Sequence, residues 1–150
     1  MSANNRHWLI YGANGYTGEQ IARAAASRGL TPVLAGRNRD AVEKLAHELH
    51  LPSRVFELTD ETEIARNLEG MTLVLHCAGP FQKTARPMAQ AAIAARSHYL
   101  DITGEITVYE DLLTLGRAAE AANTMLMPGA GFDVVPTDCI ATLLKQKMPD

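Results

Sequence analysis

Leu9-Ile10-Tyr11-Gly12-Ala13-Asn14-Gly15-Tyr16-Thr17-Gly18-Glu19-Gln20-Ile21 holds an apolar run, a glycine-punctuated turn and the start of an amphipathic helical pattern, in that order. Glycines at 12, 15 and 18 spell GxxGxxG, a close variant of the GxGxxG dinucleotide fingerprint with its first turn one residue longer. Gly12 lets the chain leave a strand through backbone angles that a side chain resists. Gly15 lets the main chain approach a pyrophosphate, and Gly18 lets the new helix lie close on a sheet. Free N–H groups of the helix's first turn, at the positive end of its dipole, then face the phosphates. Asn14, Tyr16 and Thr17 complete the candidate loop. Glycine-rich turns also join strands to helices where nothing binds, so context decides: a strand before, a helix after and a second strand within about thirty residues.

The rest of the chain supplies that context. Helical spacing over 17–28 ends at Gly29, and 31–36 reads as a second strand. Asn38 is a candidate cap for a helix with a Val42, Leu45, Ala46 and Leu49 stripe, broken by Pro52. A strand over 53–58 leads to Asp60-Glu61-Thr62-Glu63, which resembles a capping box, and to a helix ending at Gly70. Residues 71–76 form an apolar run of the kind found in strands covered on both faces. An alanine-rich helix is predicted over 87–95, a strand over 97–102, then one long helix inward at Val108, Leu112, Leu115, Ala119 and Ala122. A strand over 124–127, a glycine loop over 128–133 and a helix opened by Pro136, with Ile140, Leu143 and Leu144 on one side, complete the chain.

Such alternation predicts the α/β class: a three-layer, doubly wound Rossmann arrangement with about six mostly parallel strands and helices on both faces. Its expected strand order is three-two-one-four-five-six, with ligands beyond the carboxyl ends of the strands where the order reverses. At 150 residues and 47% hydrophobic, residues 1–150 suit a single domain. Lys plus Arg number 14 against 17 Asp plus Glu, a net charge of -3 that argues against nucleic acid as a partner. No apolar stretch approaches a membrane span and no signal peptide is visible, so a cytoplasmic setting is expected. Cys77 and Cys139 lack metal-ligand spacing and read as free thiols, so no metal is expected.

Residues Gly36-Arg37-Asn38-Arg39 fall where an NAD enzyme places Asp or Glu for the ribose hydroxyls. A carboxylate there repels the extra phosphate of NADP, whereas Arg37 gives it paired, charge-assisted hydrogen bonds, so NADP(H) is expected over NAD(H). Asp60 has two readings of equal weight, acceptor from the adenine amino group and helix cap. Cys77, Ala78, Gly79 and Pro80 follow the fourth strand, where a nicotinamide ribose runs in this topology, though Gly-Pro is also ordinary turn chemistry. Catalysis is less legible. No Tyr-x-x-x-Lys occurs, and His76 and Cys77, as strand neighbours, point to opposite faces and cannot act together. His98, Tyr99, Asp101 and Glu105 near the fifth strand's end, and Asp133 after the glycine loop, have both substrate-facing and structural readings.

These stretches, together with Ala78-Gly79-Pro80-Phe81, Tyr99-Leu100-Asp101-Ile102-Thr103-Gly104-Glu105 and Pro128-Gly129-Ala130-Gly131-Phe132-Asp133-Val134-Val135-Pro136-Thr137-Asp138, resemble the saccharopine dehydrogenase-like oxidoreductases along nearly the whole chain. The resemblance implies an amino-terminal NAD(P)-binding domain with NADP contacts on the glycine loop, Arg37 and residues 78–80. It also implies a catalytic or substrate domain after residue 150. The function expected is placement of nicotinamide for hydride transfer with a small carbonyl, imine or enoyl substrate. The alternative is a non-catalytic NADP(H)-sensing domain. A small-molecule substrate is the expected partner, with room for a homo-oligomer.

Overall fold

The computed structural model describes residues 7–132 and 134–148. Strands and helices alternate through β1 (Trp8–Tyr11), α1 (Tyr16–Ser27), β2 (Val33–Gly36), α2 (Arg39–Leu49), β3 (Ser53–Val55), α3 (Glu61–Leu68) and β4 (Leu73–His76). They continue through α4 (Phe81–Ala95), β5 (His98–Asp101), α5 (Ile106–Leu113), α6 (Gly116–Ala121), β6 (Leu126–Met127) and α7 (Val135–Lys147). The six strands form one sheet in the order β3-β2-β1-β4-β5-β6. Every pairing is parallel. This is the doubly wound Rossmann arrangement expected from the alternation.

Helices cover both faces because the strands are apolar on both. On one face Leu9, Tyr11, Val74 and Tyr99 pack with α3, α4 and α5 through Ile64, Leu68, Met88, Ala92, Val108 and Leu112. On the other, Ile10 and Leu34 pack with α1 and α2 through Ala22, Leu45 and Ala46. Register sets the position of the site: Tyr11 pairs with Ala35 and with His76, and His76 pairs with Asp101. Four strands therefore end nearly level, and the loops that follow them share one edge of the sheet. No helix among the described residues is long and apolar enough to cross a membrane.

Strands β2 and β6 start two residues later than the sequence reading, and larger differences fall at α4, at α5 with α6, and at β3. Helix α4 starts at Phe81, six residues before the predicted start, and carries Pro87 inside it. Proline favours the first helical turn, which suggested a beginning at 87, but here it only forgoes one backbone hydrogen bond. Burial of Ala85, Met88, Ala89, Ala91 and Ala92 offsets that loss. The single long helix is two, α5 and α6, because Gly116 is a poor helix former and the Thr114 hydroxyl donates to the Asp111 carbonyl at 2.6 Å. Strand β3 stops at Val55, and Phe56 turns into the core. Helix α7 has no buried residue among those described, and Ile140, Leu143 and Leu144 are all exposed.

Candidate functional site

Between β1 and β4 the strand order reverses, and there the chain opens a crevice of about 620 Å³. Gly12, Asn14 and Gly15 line it from the first turn, Arg37 and Asn38 from the end of β2, and Cys77, Ala78, Gly79 and Pro80 from the end of β4. Nine of the predicted cofactor residues thus converge on one concavity. Tyr16, Thr17 and Gly18 lie just beyond the lining, in the first turn of α1. Asp60 is also outside it: its carboxylate caps α3, accepting from the Thr62 amide at 2.8 Å and the Glu63 amide at 3.3 Å.

The glycines leave room where a side chain would obstruct. Gly12 turns at φ +81°, and a Cβ there would stand 2.9 Å from Ala78. A Cβ at Gly18 would come within 2.2 Å of the Gly12 carbonyl, so its absence lets α1 sit against the turn. Helices α2 and α3 are capped by Asn38 and Asp60; α1, like the other helices described, has no side-chain cap, and it starts from Gly15 at the crevice. The amides of Tyr16, Thr17 and Gly18 precede the first intrahelical bond and have no acceptor among the described residues. Bare amides at a dipole's positive end, reached past a residue without a side chain, fit an anionic diphosphate.

Arg37 is exposed and makes no hydrogen bond or ion pair among the described residues. Its neighbour Arg39 is engaged with Glu43 at 2.7 Å. The Asn38 Oδ1 is taken up by the helix start, accepting from the Ala41 amide at 3.2 Å. Tyr11 forms part of the floor, its hydroxyl donating to the Phe56 carbonyl at 3.0 Å and pushed up to about 12 by burial. Burial, with Asp101 nearby, likewise pushes the Cys77 thiol up to about 12, which leaves no thiolate for nucleophilic work.

Residues 8–127 match the saccharopine dehydrogenase NADP-binding domain family. The chain belongs to that family. Among saccharopine dehydrogenase-like relatives, an Arabidopsis thaliana protein described as a probable mitochondrial oxidoreductase is 31% identical, aligned over 87% of this chain and 32% of its own length. A trans-acting enoyl reductase of Mycobacterium leprae is 27% identical over 92% of this chain and 35% of its own. Saccharopine dehydrogenase of Saccharomyces cerevisiae superposes with a TM-score of 0.82 at 15% identity, over 95% of this chain and 31% of that one. The chain therefore spans about a third of the length of these relatives.

The Tyr99-Leu100-Asp101-Ile102-Thr103 stretch is structural here. Asp101 is fully buried and accepts from the Tyr99 hydroxyl at 2.6 Å, the Thr103 amide at 3.0 Å and the Gly129 amide at 2.8 Å. Neither Tyr99 nor Asp101 reaches solvent. His98 is also spent, its Nδ1 accepting from the Met125 amide at 3.0 Å. Glu105 begins α5 without a side-chain cap. Asp133 lies outside the described residues. His76 and Cys77 part as expected, the imidazole among the rings of Tyr11, Phe81 and Tyr99 and Cys77 against the Ile10 and Leu34 face of the core.

Leu58 and Thr59, in the loop at 58–60 that sequence places among the ligand-facing loops, line the crevice, and so do Glu57, Lys83 and Thr84, which reasoning from sequence missed. The expected contacts at Cys77 to Pro80 pointed to the neighbourhood of Lys83 and Thr84. An α4 start at 87 left Lys83 and Thr84 unassigned.

Proposed function

We propose that this chain is the part of a saccharopine dehydrogenase-like oxidoreductase that binds NADP(H) and presents its nicotinamide for hydride exchange with a small carbonyl, imine or enoyl compound. The observation that carries the reading is the uncapped first turn of α1, open to the crevice at Gly15. In this reading the amides of 16–18 hold the diphosphate, Arg37 takes the 2′-phosphate and residues 77–80 run along the nicotinamide ribose. Nicotinamide, when bound, supplies or accepts the hydride. The protein's own work is placement and charge. An enoyl substrate gains support from the enoyl reductase name of the Mycobacterium leprae relative. A substrate-holding domain beyond residue 150 is part of the proposal, supported by the greater length of the relatives.

Calorimetric titration of the chain with NADPH and NADH tests this directly. Binding of NADPH at least tenfold tighter than NADH is expected, about 1.4 kcal/mol. Absence of binding by either dinucleotide overturns the reading.

A further inference from the structure

We propose that the side-chain amide of Asn14 holds the adenosine ribose of NADP(H), accepting from its 3′-hydroxyl, and that its lack of charge is what admits the 2′-phosphate beside Arg37. The proposal rests on the NADP(H) reading above and adds a side chain that none of the roles given there uses.

Two observations fix where this side chain lies. The turn that carries it is clamped to the end of β2: the Gly12 and Ala13 amides both donate to the Ala35 carbonyl, at 2.8 and 3.0 Å, and the Gly15 amide closes the turn on the Gly12 carbonyl at 3.0 Å. From that turn the Asn14 side chain reaches over the next residue of β2, since a Cβ at Gly36 would stand 2.9 Å from the Asn14 Oδ1. A glycine in a strand often marks such a close approach. Asn14 and Gly36 both line the crevice, and Arg37 comes directly after Gly36. The amide group therefore sits between the glycine turn, assigned to the diphosphate, and the end of β2, assigned to the 2′-phosphate. In NADP(H) the adenosine ribose is what joins those two groups.

Turn chemistry leaves this side chain unexplained. Asparagine favours turns because its side chain bonds nearby backbone. Asn38 does so, its Oδ1 accepting from the Ala41 amide at 3.2 Å. The Asn14 side chain makes no hydrogen bond among the described residues, and the residue is exposed. A side-chain amide offers an acceptor and two donors without charge. Placed here, the acceptor serves a ribose hydroxyl as the carboxylate of an NAD site does, without that carboxylate's repulsion of a 2′-phosphate.

Titration of wild type, Asn14→Ala and Asn14→Asp with NADPH, NADH and adenosine 2′,5′-bisphosphate tests the assignment. Asn14 is exposed and is not among the residues with positive φ, so both substitutions leave the fold intact. Asn14→Ala is expected to weaken all three ligands about three- to tenfold, the worth of one hydrogen bond. Asn14→Asp is expected to move the preference at least about tenfold from NADPH toward NADH, because the new carboxylate still accepts from the ribose but repels the phosphate. No loss in Asn14→Ala, or a loss for the dinucleotides that spares the bisphosphate, overturns the proposal. Equal losses of NADPH and NADH in Asn14→Asp would move the side chain to the diphosphate and overturn it too. Tight NADPH binding by wild type in those cases leaves the cofactor reading standing. Failure of wild type to bind any of the three ligands overturns both.

Discussion

Arg37 and His76 stand at opposite extremes of exposure. Arg37 is an exposed guanidinium without a protein partner at the end of β2. Reversing its charge in Arg37→Glu should cost NADPH about 1.5 to 3 kcal/mol, the worth of a charge-assisted hydrogen bond, and cost NADH far less. Calorimetric titration reads the difference, and equal losses would remove the phosphate role. His76 is the opposite case, fully buried with neither ring nitrogen hydrogen-bonded and the rings of Tyr11, Phe81 and Tyr99 centred 5.7, 5.4 and 6.1 Å away. Burial holds its pKa down to about 3. The unfolded chain takes up a proton near pH 6.5 that the folded one refuses, so the contribution is complete above that pH and lost as pH falls toward 3. Urea unfolding between pH 8 and 5 should show wild-type stability falling by up to about 1.4 kcal/mol per pH unit below 6.5, relative to His76→Phe.

Element by element, what was legible followed from local chemistry. Asn38 and Asp60 were readable as caps because short polar side chains bond the free amides of a helix start, and both do so. Asp60→Ala should therefore cost about 1 kcal/mol in thermal unfolding and leave the NADPH dissociation constant within about twofold. A tenfold weakening would restore its adenine role. The strand order was equally legible, because parallel strands alternating with helices admit few topologies. The start of α4 was not, since Pro87 reads locally as a first-turn residue and only the packing of Ala85 and Met88 shows the helix running through it. That displacement hid Lys83 and Thr84. Glu57 was hidden because β3 ends at Val55, three residues before the sequence suggested, and hands 57–59 to the crevice wall. The Asp101 network was also out of reach, as its donors come from Gly129 as well as from neighbours in sequence.

At the scale of the molecule, a binding crevice at the switch point couples ligand to stability, because the loops that line it close β1, β2 and β4 in the middle of the sheet. A ligand held there binds only the folded chain, so NADPH at about 100 times its dissociation constant should raise the unfolding free energy by about 2.7 kcal/mol. For a domain this size that is a rise of roughly 5 to 10 °C in the melting temperature. Gly15→Val separates ligand from fold in this measurement. Gly15 has φ −81° and ψ 165°, angles any residue adopts, and a Cβ there would meet only the Gly12 carbonyl at 3.3 Å. Valine should thus fold with a melting temperature close to wild type while its branched side chain fills the approach to the bare amides of α1. The variant is expected to melt at the same temperature with and without either dinucleotide. Arg37→Glu should lose the shift from NADPH while keeping whatever shift NADH gives. If Gly15→Val retained the full shift from NADPH, the diphosphate would have to be held somewhere other than the first turn of α1.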